Sequence, residues 1–386
     1  MSSEPFEIAI DDHAIDKLRH RLSQTRWAPE SGNFDGRYGV QQGYLRDLVE
    51  YWLDEFDWRR QEAQMNSHDH FRTEIDHVPI HYMVARGRGP HPIPLILSHG
   101  WPSSFWDFHE IVGPLTDPAA HGGDERDAFD VIIPSLPGFT FSTPLEVTGV
   151  TPARIARMWR DLMGRLGYRR FGCAGGDWGS AISVEMGAQF ADDVIGVYLS
   201  SSPRFLVDEQ KLTEDDYGPG EEDWRDGGAR RRLNSVHHTS VQTHGPQTLS
   251  WGLNDSPVGL ASWLLERWQR WSDSHGDVES VFTRDFLLTT ISLYWFTQSI
   301  GSSMRIYADT FAGDSPMRAT HFERRVEVPT GIVVFPRELS LFPRSACERV
   351  TNLVHWTVLP RGGHFGAAEQ PALYVEDIRA FFRPLR

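Results

Sequence analysis

The sequence predicts an α/β fold: a mostly parallel sheet flanked by helices, with a mainly helical lid inserted between core strands and an N-terminal strap. Three observations carry this prediction. Short apolar runs at 93–97, 131–134, 171–174, 194–199 and 331–335 read as strands covered on both faces, which need no polar alternation. The runs at 93–97 and 171–174 end in glycine turns, and the second leads at once into helical spacing over 181–190. Residues 203–323, rich in Trp, Gly, Asp and Arg, then interrupt the strands with helices and loops, too long an excursion for a connection and suited to a lid.

Taken in order, residues 1–92 form the strap and the first core strands, 93–202 the first part of the core, 203–323 the lid and 324–386 the second part of the core. In the strap, Ile15, Leu18 and Leu22 share one face, and Leu45, Leu48, Val49, Trp52 and Phe56 follow helical spacing. Residues 71–75 and 80–84 read as strands. A helix over 151–166 is punctuated by Thr151 as cap, Pro152 in the first turn and Gly167 after the last, with Ile155, Met158, Trp159, Leu162 and Leu166 as its apolar stripe. Within the lid, the charged stretch 208–232 reads as a mobile surface loop. Trp251, Trp263, Trp268 and Trp271 read mostly as lid packing, with room for some of them to line an apolar slot. A strand over 354–359 and a helix over 373–382 close the chain. No repeat or low-complexity tract interrupts it.

Composition excludes several classes. A chain of 386 residues is too long for one ordinary domain and suits a core with an insertion. Two cysteines, Cys173 and Cys347, exclude a disulfide scaffold and suit a reducing cytosol. A formal net charge of -15 argues against nucleic acid and anionic membranes as partners. Residues 1–7 are polar and no run is long enough for a signal peptide or span, so a cytoplasmic protein without a membrane anchor is expected.

The chemistry concentrates in residues 173–180, CAGGDWGS. A strand that ends in a small-x-nucleophile-x-small turn and passes straight into a helix lifts the central side chain above the sheet edge, as in the nucleophile elbow of the α/β-hydrolase core. Gly175 and Gly179 are the small positions, and the central residue is Asp177, a carboxylate where serine is usual. The alternative reading of Asp177 is a helix cap. His99-Gly100-Trp101-Pro102 follows the 93–97 strand, so the main-chain amides of Trp101 and Trp178 are the expected oxyanion-hole donors, with His99 read as a buried turn histidine. Among seventeen histidines, His364 in LPRGGHF stands out as the general base: it follows the last strand, and Gly362-Gly363 free its loop. Glu338, in PRELS after the 331–335 strand, is the acid that would orient it. As an isolated glutamate it would read as an exposed loop residue, but the order Asp, Glu, His along the chain favours the catalytic reading.

These residues sit in longer motifs: residues 6–27 with YLRDLVEYWLDEFDWRRQEAQMN, then HGWPSSFWDF, IPSLPGFTFS, GGDWGS, LNDSPVGLASW, VVFPREL and PRGGHF. With them the chain resembles the epoxide hydrolases of the microsomal type and their bacterial relatives over nearly its whole length. The resemblance implies hydrolysis of an epoxide to a vicinal diol through a covalent ester on Asp177, with no metal or organic cofactor. Opening the ring leaves an alkoxide, which needs a proton donor. The family uses two lid tyrosines, and SSMRIYADT places one at Tyr307, with Tyr294 in the apolar SLYWF run read as packing. The second falls on His238 in SVHHTSVQTHGPQT, a departure from the pattern, and an ordinary lid histidine beside His237 stays open there. An imidazole donor predicts a lower pH optimum than a Tyr/Tyr relative.

A carboxylate attacking saturated carbon makes an ester whose carbonyl is then the electrophile, so epoxides and alkyl halides remain as substrates and amides recede. Haloalkane dehalogenase is the runner-up, opposed by the N-terminal segment, Tyr307 and the FPREL loop. A catalytically silent binding protein is the third reading, opposed by the full Asp177, Glu338, His364 set. Abundant aromatic residues point to a bulky apolar or aryl epoxide, a small-molecule partner. A homodimer is compatible with the resemblance and rests on nothing else.

Overall fold

The computed structural model describes residues 3–201, 203, 206–227, 237–313 and 325–386. Among them nine strands form one sheet: β1 (Glu4–Phe6), β2 (Asp69–Ile75), β3 (Val78–Ala85), β4 (Ile93–Ser98), β5 (Phe129–Pro134), β6 (Phe171–Gly175), β7 (Val194–Leu199), β8 (Val326–Val334) and β9 (Thr351–Val358), in the order β1-β2-β3-β5-β4-β6-β7-β8-β9. The first three joins are antiparallel and the remaining five parallel. Asp76 and His77, both at positive φ, make the two-residue turn between β2 and β3 that such a tight hairpin needs. Central strands β4, β5 and β6 are buried almost throughout, which explains their unbroken apolar sequences.

Register decides where the loops meet. Ser98 pairs with Gly175, and Gly175 with Leu199, so the turn after β4, the turn after β6 and Ser200-Ser201 after β7 lie side by side. Val334 pairs with Val358, which brings the loops after β8 and β9 together at the same carboxyl edge, where open α/β sheets bind ligands.

Helices fill the stretch between β7 and β8: His237–His244, Pro246–Asp255, Pro257–Trp271, Arg284–Thr297 and Ile300–Phe311. The N-terminal helices Gln42–Asp54 and Trp58–Met65 strap them down. Tyr51 donates to Asp285 Oδ1 at 2.9 Å and Arg60 pairs with Asp285 Oδ2 at 3.0 Å, while Trp58 packs edge-on against Phe296. Leu48, Trp52 and Phe56 are buried beneath, and each such side chain contributes roughly 1.5–3 kcal/mol over leaving it exposed.

Three expectations need correction. Thr151 precedes the helix Pro152–Arg165, but its side chain makes no cap bond; Asp309 Oδ2 instead accepts from the Val150 amide at 2.9 Å. Residues 208–227, part of the predicted mobile loop 208–232, are anchored: Leu212 and Glu221 are buried, Asp216 pairs with Arg349 at 2.7 Å, and Glu221 accepts from the Arg344 amide at 3.0 Å. The rest of that stretch, 228–232, lies outside the described residues. Trp251 is 71% exposed and is not lid packing, whereas Trp268 and Trp271 are buried.

Candidate active site

The turn after β6 holds Asp177 at φ 50°, ψ -123°, a conformation that costs about 1–3 kcal/mol and persists only where the surroundings enforce it. They do so by close approach. A Cβ on Gly179 would stand 1.8 Å from the Ser98 carbonyl oxygen, and one on Gly175 2.5 Å from the same atom. Gly100 meets the nucleophile from the other side, since a Cβ there would lie 2.4 Å from both Cβ and Oδ1 of Asp177. The following helix starts at Trp178, earlier than its apolar spacing suggested, and the Asp177 side chain makes no cap bond to it. The carboxylate is aimed elsewhere: Oδ1 accepts from the Trp101 amide at 2.9 Å. Trp178 opens the helix Trp178–Gln189, so its N–H belongs to the first turn, outside the helix's own ladder.

His364 reaches the other carboxylate oxygen, with Nε2 3.5 Å from Asp177 Oδ2, an ion-pair separation rather than a short hydrogen bond. Behind it, Nδ1 lies 2.9 Å from Glu338 Oε1 and 3.2 Å from Oε2. Glu338 is buried, not the exposed loop residue its surroundings in sequence suggested. Burial alone would lower the His364 pKa; the Glu338 carboxylate and then Asp177 overcome it and push it up to about 10. His99, by contrast, is a turn histidine. Its Nδ1 lies 2.9 Å from the Gly100 carbonyl, its Nε2 accepts from the Leu136 amide at 3.1 Å, and burial holds it neutral, down to about 4.

The lid supplies the other face. Tyr307 on Ile300–Phe311 and His238 on His237–His244 approach each other, with the Tyr307 hydroxyl 3.3 Å from His238 Nε2. Aromatic rings fix both: His238 stacks on Trp101 at 5.3 Å and 6°, and Tyr307 stands edge-on to Trp178 at 4.8 Å. Tyr294 donates to the Ser103 carbonyl at 2.8 Å, a buried packing role.

Sequence reasoning missed the clamp on the base loop. Four successive amides are tied down: Gly362 to Asp273 Oδ2 at 2.9 Å, Gly363 to Glu369 Oε2 at 2.9 Å, His364 to the Trp271 carbonyl at 2.9 Å, and Phe365 to Glu369 Oε1 at 2.9 Å. Glu369 also accepts from Asp273 N at 2.8 Å, and burial pushes its pKa up to about 7 against those three amides. The Trp271 ring touches both His238 and His364, at 4.7 and 5.1 Å between centroids. The lid thus holds the base through its backbone. GHFxxxE contains the acid but not its partners, because Trp271 and Asp273 are some 90 residues away in sequence.

The model of the epoxide hydrolase N terminus matches residues 3–108, and that of the alpha/beta hydrolase fold matches 93–269. Epoxide hydrolase 1 of Oryctolagus cuniculus is 34% identical over 98% of this chain and 88% of its own length. The chain belongs to the epoxide hydrolase family. Among solved structures, the juvenile hormone epoxide hydrolase of the silkworm Bombyx mori superposes with a TM-score of 0.91 at 29% identity, covering 100% of this chain and 95% of that one. The Aspergillus niger epoxide hydrolase gives 0.88 at 28% identity, over 100% and 97%. Epoxide hydrolysis is accordingly the reaction of this chain.

Proposed function

We propose that this epoxide hydrolase converts a bulky apolar or aryl epoxide to its vicinal diol through an ester on Asp177. The observation that carries the reading is the division of labour between the two carboxylate oxygens. Oδ1 already rests on the Trp101 amide, where the ester carbonyl will need a donor, and leaves Oδ2 as the attacking atom. Tyr307 and His238 give the departing ring oxygen its proton. His364, oriented by Glu338, then takes a proton from water, and the water oxygen adds to the Asp177 carbonyl carbon. The Trp178 amide is the second oxyanion donor in this scheme. The aromatic walls formed by Trp101, Trp178, Trp271 and Phe311 favour apolar substituents.

The proposal includes a cytoplasmic homodimer that needs no membrane or nucleic acid. Two buried free cysteines support the location and a net charge of -15 the want of nucleic-acid and anionic-membrane partners, while the dimer rests on the family resemblance alone; no helix among the described residues is long and apolar enough to cross a membrane. Sedimentation of the purified chain checks the dimer, and fractionation of the source cells checks the location.

A screen of aryl and terpene epoxides for diol formation tests the substrate class; turnover confined to small polar epoxides would contradict it. On an active substrate, Tyr307→Phe and His238→Phe are each expected to slow alkylation about 10- to 100-fold, less than the roughly 10²–10⁴-fold of a whole acid catalyst because the other donor remains. His238→Phe should also remove one ionisation from the pH profile, because an imidazole donor works best while protonated and fails as pH rises. An unchanged profile would show that His238 only packs.

A further inference from the structure

On the base side of Asp177 lies a cavity of about 40 Å³, lined among others by Asp177, His364, Asp107, Ser103 and Ser200. Neither Tyr307 nor His238 lines it, so it is separate from the acid side where the epoxide must sit. One water needs roughly 10–15 Å³ of such volume and two to four polar partners, so this space suits a few waters and excludes a substituted epoxide.

Its polar lining includes a carboxyl that the mechanism above does not use. Asp107 is buried at the end of the short turn Phe105–Phe108, and its Oδ1 accepts from the Ser104 amide at 3.1 Å in a capping box. Capping explains one oxygen of a carboxyl whose charge is costly to bury. Burial pushes Asp107 up to about 6, countered by the Ser103 hydroxyl, the Ser104 amide and the His364 charge. The other titratable groups around it are Asp177, His364, the neutral His99 and Tyr294.

We infer that this cavity is the water site of the second half-reaction, and that Asp107 positions the water between His364 Nε2 and the Asp177 carbonyl carbon. The inference rests on the covalent reading above. The alkyl group of the ester occupies the lid side, which leaves this side for the attacking water. Its oxygen bonds to Cγ, one proton passes to His364 Nε2, and the carbonyl electron pair moves onto Oδ1 at the Trp101 amide. Collapse breaks the Cγ–Oδ2 bond, the diol leaves with Oδ2 and takes the proton from His364, the water oxygen stays in the Asp177 carboxyl, and the second water proton leaves that carboxyl to restore the lid donor that protonated the ring oxygen. Asp107 accepts a hydrogen bond from that water and is a positioning residue.

Asp107→Asn keeps an oxygen for the cap and removes the charge. In rapid-quench single turnovers on an aryl epoxide that the wild type converts, alkylation is expected within threefold of wild type. Ester hydrolysis should slow at least tenfold, adduct should accumulate in intact-mass spectra, and of the two ionisations that lower hydrolysis as pH falls, that of Asp107 should be gone while that of His364 stays. Hydrolysis slowed less than tenfold, or both half-reactions slowed alike, overturns the inference. If Asp107→Asn melts at a much lower temperature, Ser103→Val, which fills part of the cavity and leaves the Asp107 cap in place, must show the same split or the inference falls. His364→Gln run alongside separates the two claims: no adduct there removes the covalent reading and this inference with it, whereas adduct there but not in Asp107→Asn removes this inference alone.

Discussion

Asp177→Asn is expected to lower kcat by about 10⁴-fold or more on any epoxide the enzyme converts, with little change in melting temperature. The amide has the shape of the carboxylate, so the turn at φ 50° carries the same strain, and its oxygen can still accept from the Trp101 amide. What is lost is the negatively charged oxygen that attacks carbon. Because the folded protein survives, the loss reads as chemistry. Steady-state kinetics paired with thermal melting checks it; more than about 1% residual activity, freed of wild-type contamination, would mean that water attacks the epoxide without an ester.

His364→Gln is the second large effect, and it differs in kind. Alkylation needs Asp177 and the lid donors but no base, so this variant should consume one equivalent of substrate per site and then stall, with turnover down about 10³-fold. Intact mass should rise by the mass of the substrate. The electrostatics add a pH signature. In the resting enzyme His364 stays charged until about pH 10, held there chiefly by Glu338 with Asp177 adding to it. Esterification neutralises Asp177, so the His364 pKa in the intermediate must fall below that of the free enzyme, and the base is released only once it is needed. Wild-type hydrolysis should therefore rise with pH through this lower value while alkylation stays level over the same range. Single-turnover rates across pH would contradict this if both steps rose together.

The core and its edge were legible because their cause is local. Strands β4 and β6 announce themselves as apolar runs ending in glycine, and the close approaches at Gly100, Gly175 and Gly179 allow no other residue without displacing backbone or the nucleophile. Chain order singled out Glu338 and His364. Tyr307 and His238 were reached through resemblance, since a tyrosine or histidine on a lid helix carries no local sign of its task. The segment 208–227 was misread because its charges are conspicuous, while the two buried residues that help anchor it, Leu212 and Glu221, are scattered among them. Asp107 and Glu369 were passed over for a related reason. Ser104-x-x-Asp107 is a capping signature and does cap, and only the three-dimensional neighbourhood shows that the same carboxyl faces His364. Glu369 ties the amides on either side of the base to the lid residue Asp273, a connection visible only once the lid is folded over the sheet.

The central claim is that Asp177 forms a bond to substrate carbon before water reacts, and one turnover in ¹⁸O-labelled water with enzyme in excess tests it most directly. The account predicts an unlabelled diol and a peptide containing Asp177 that has gained the heavy oxygen. A first diol carrying ¹⁸O, with Asp177 unlabelled, would contradict it.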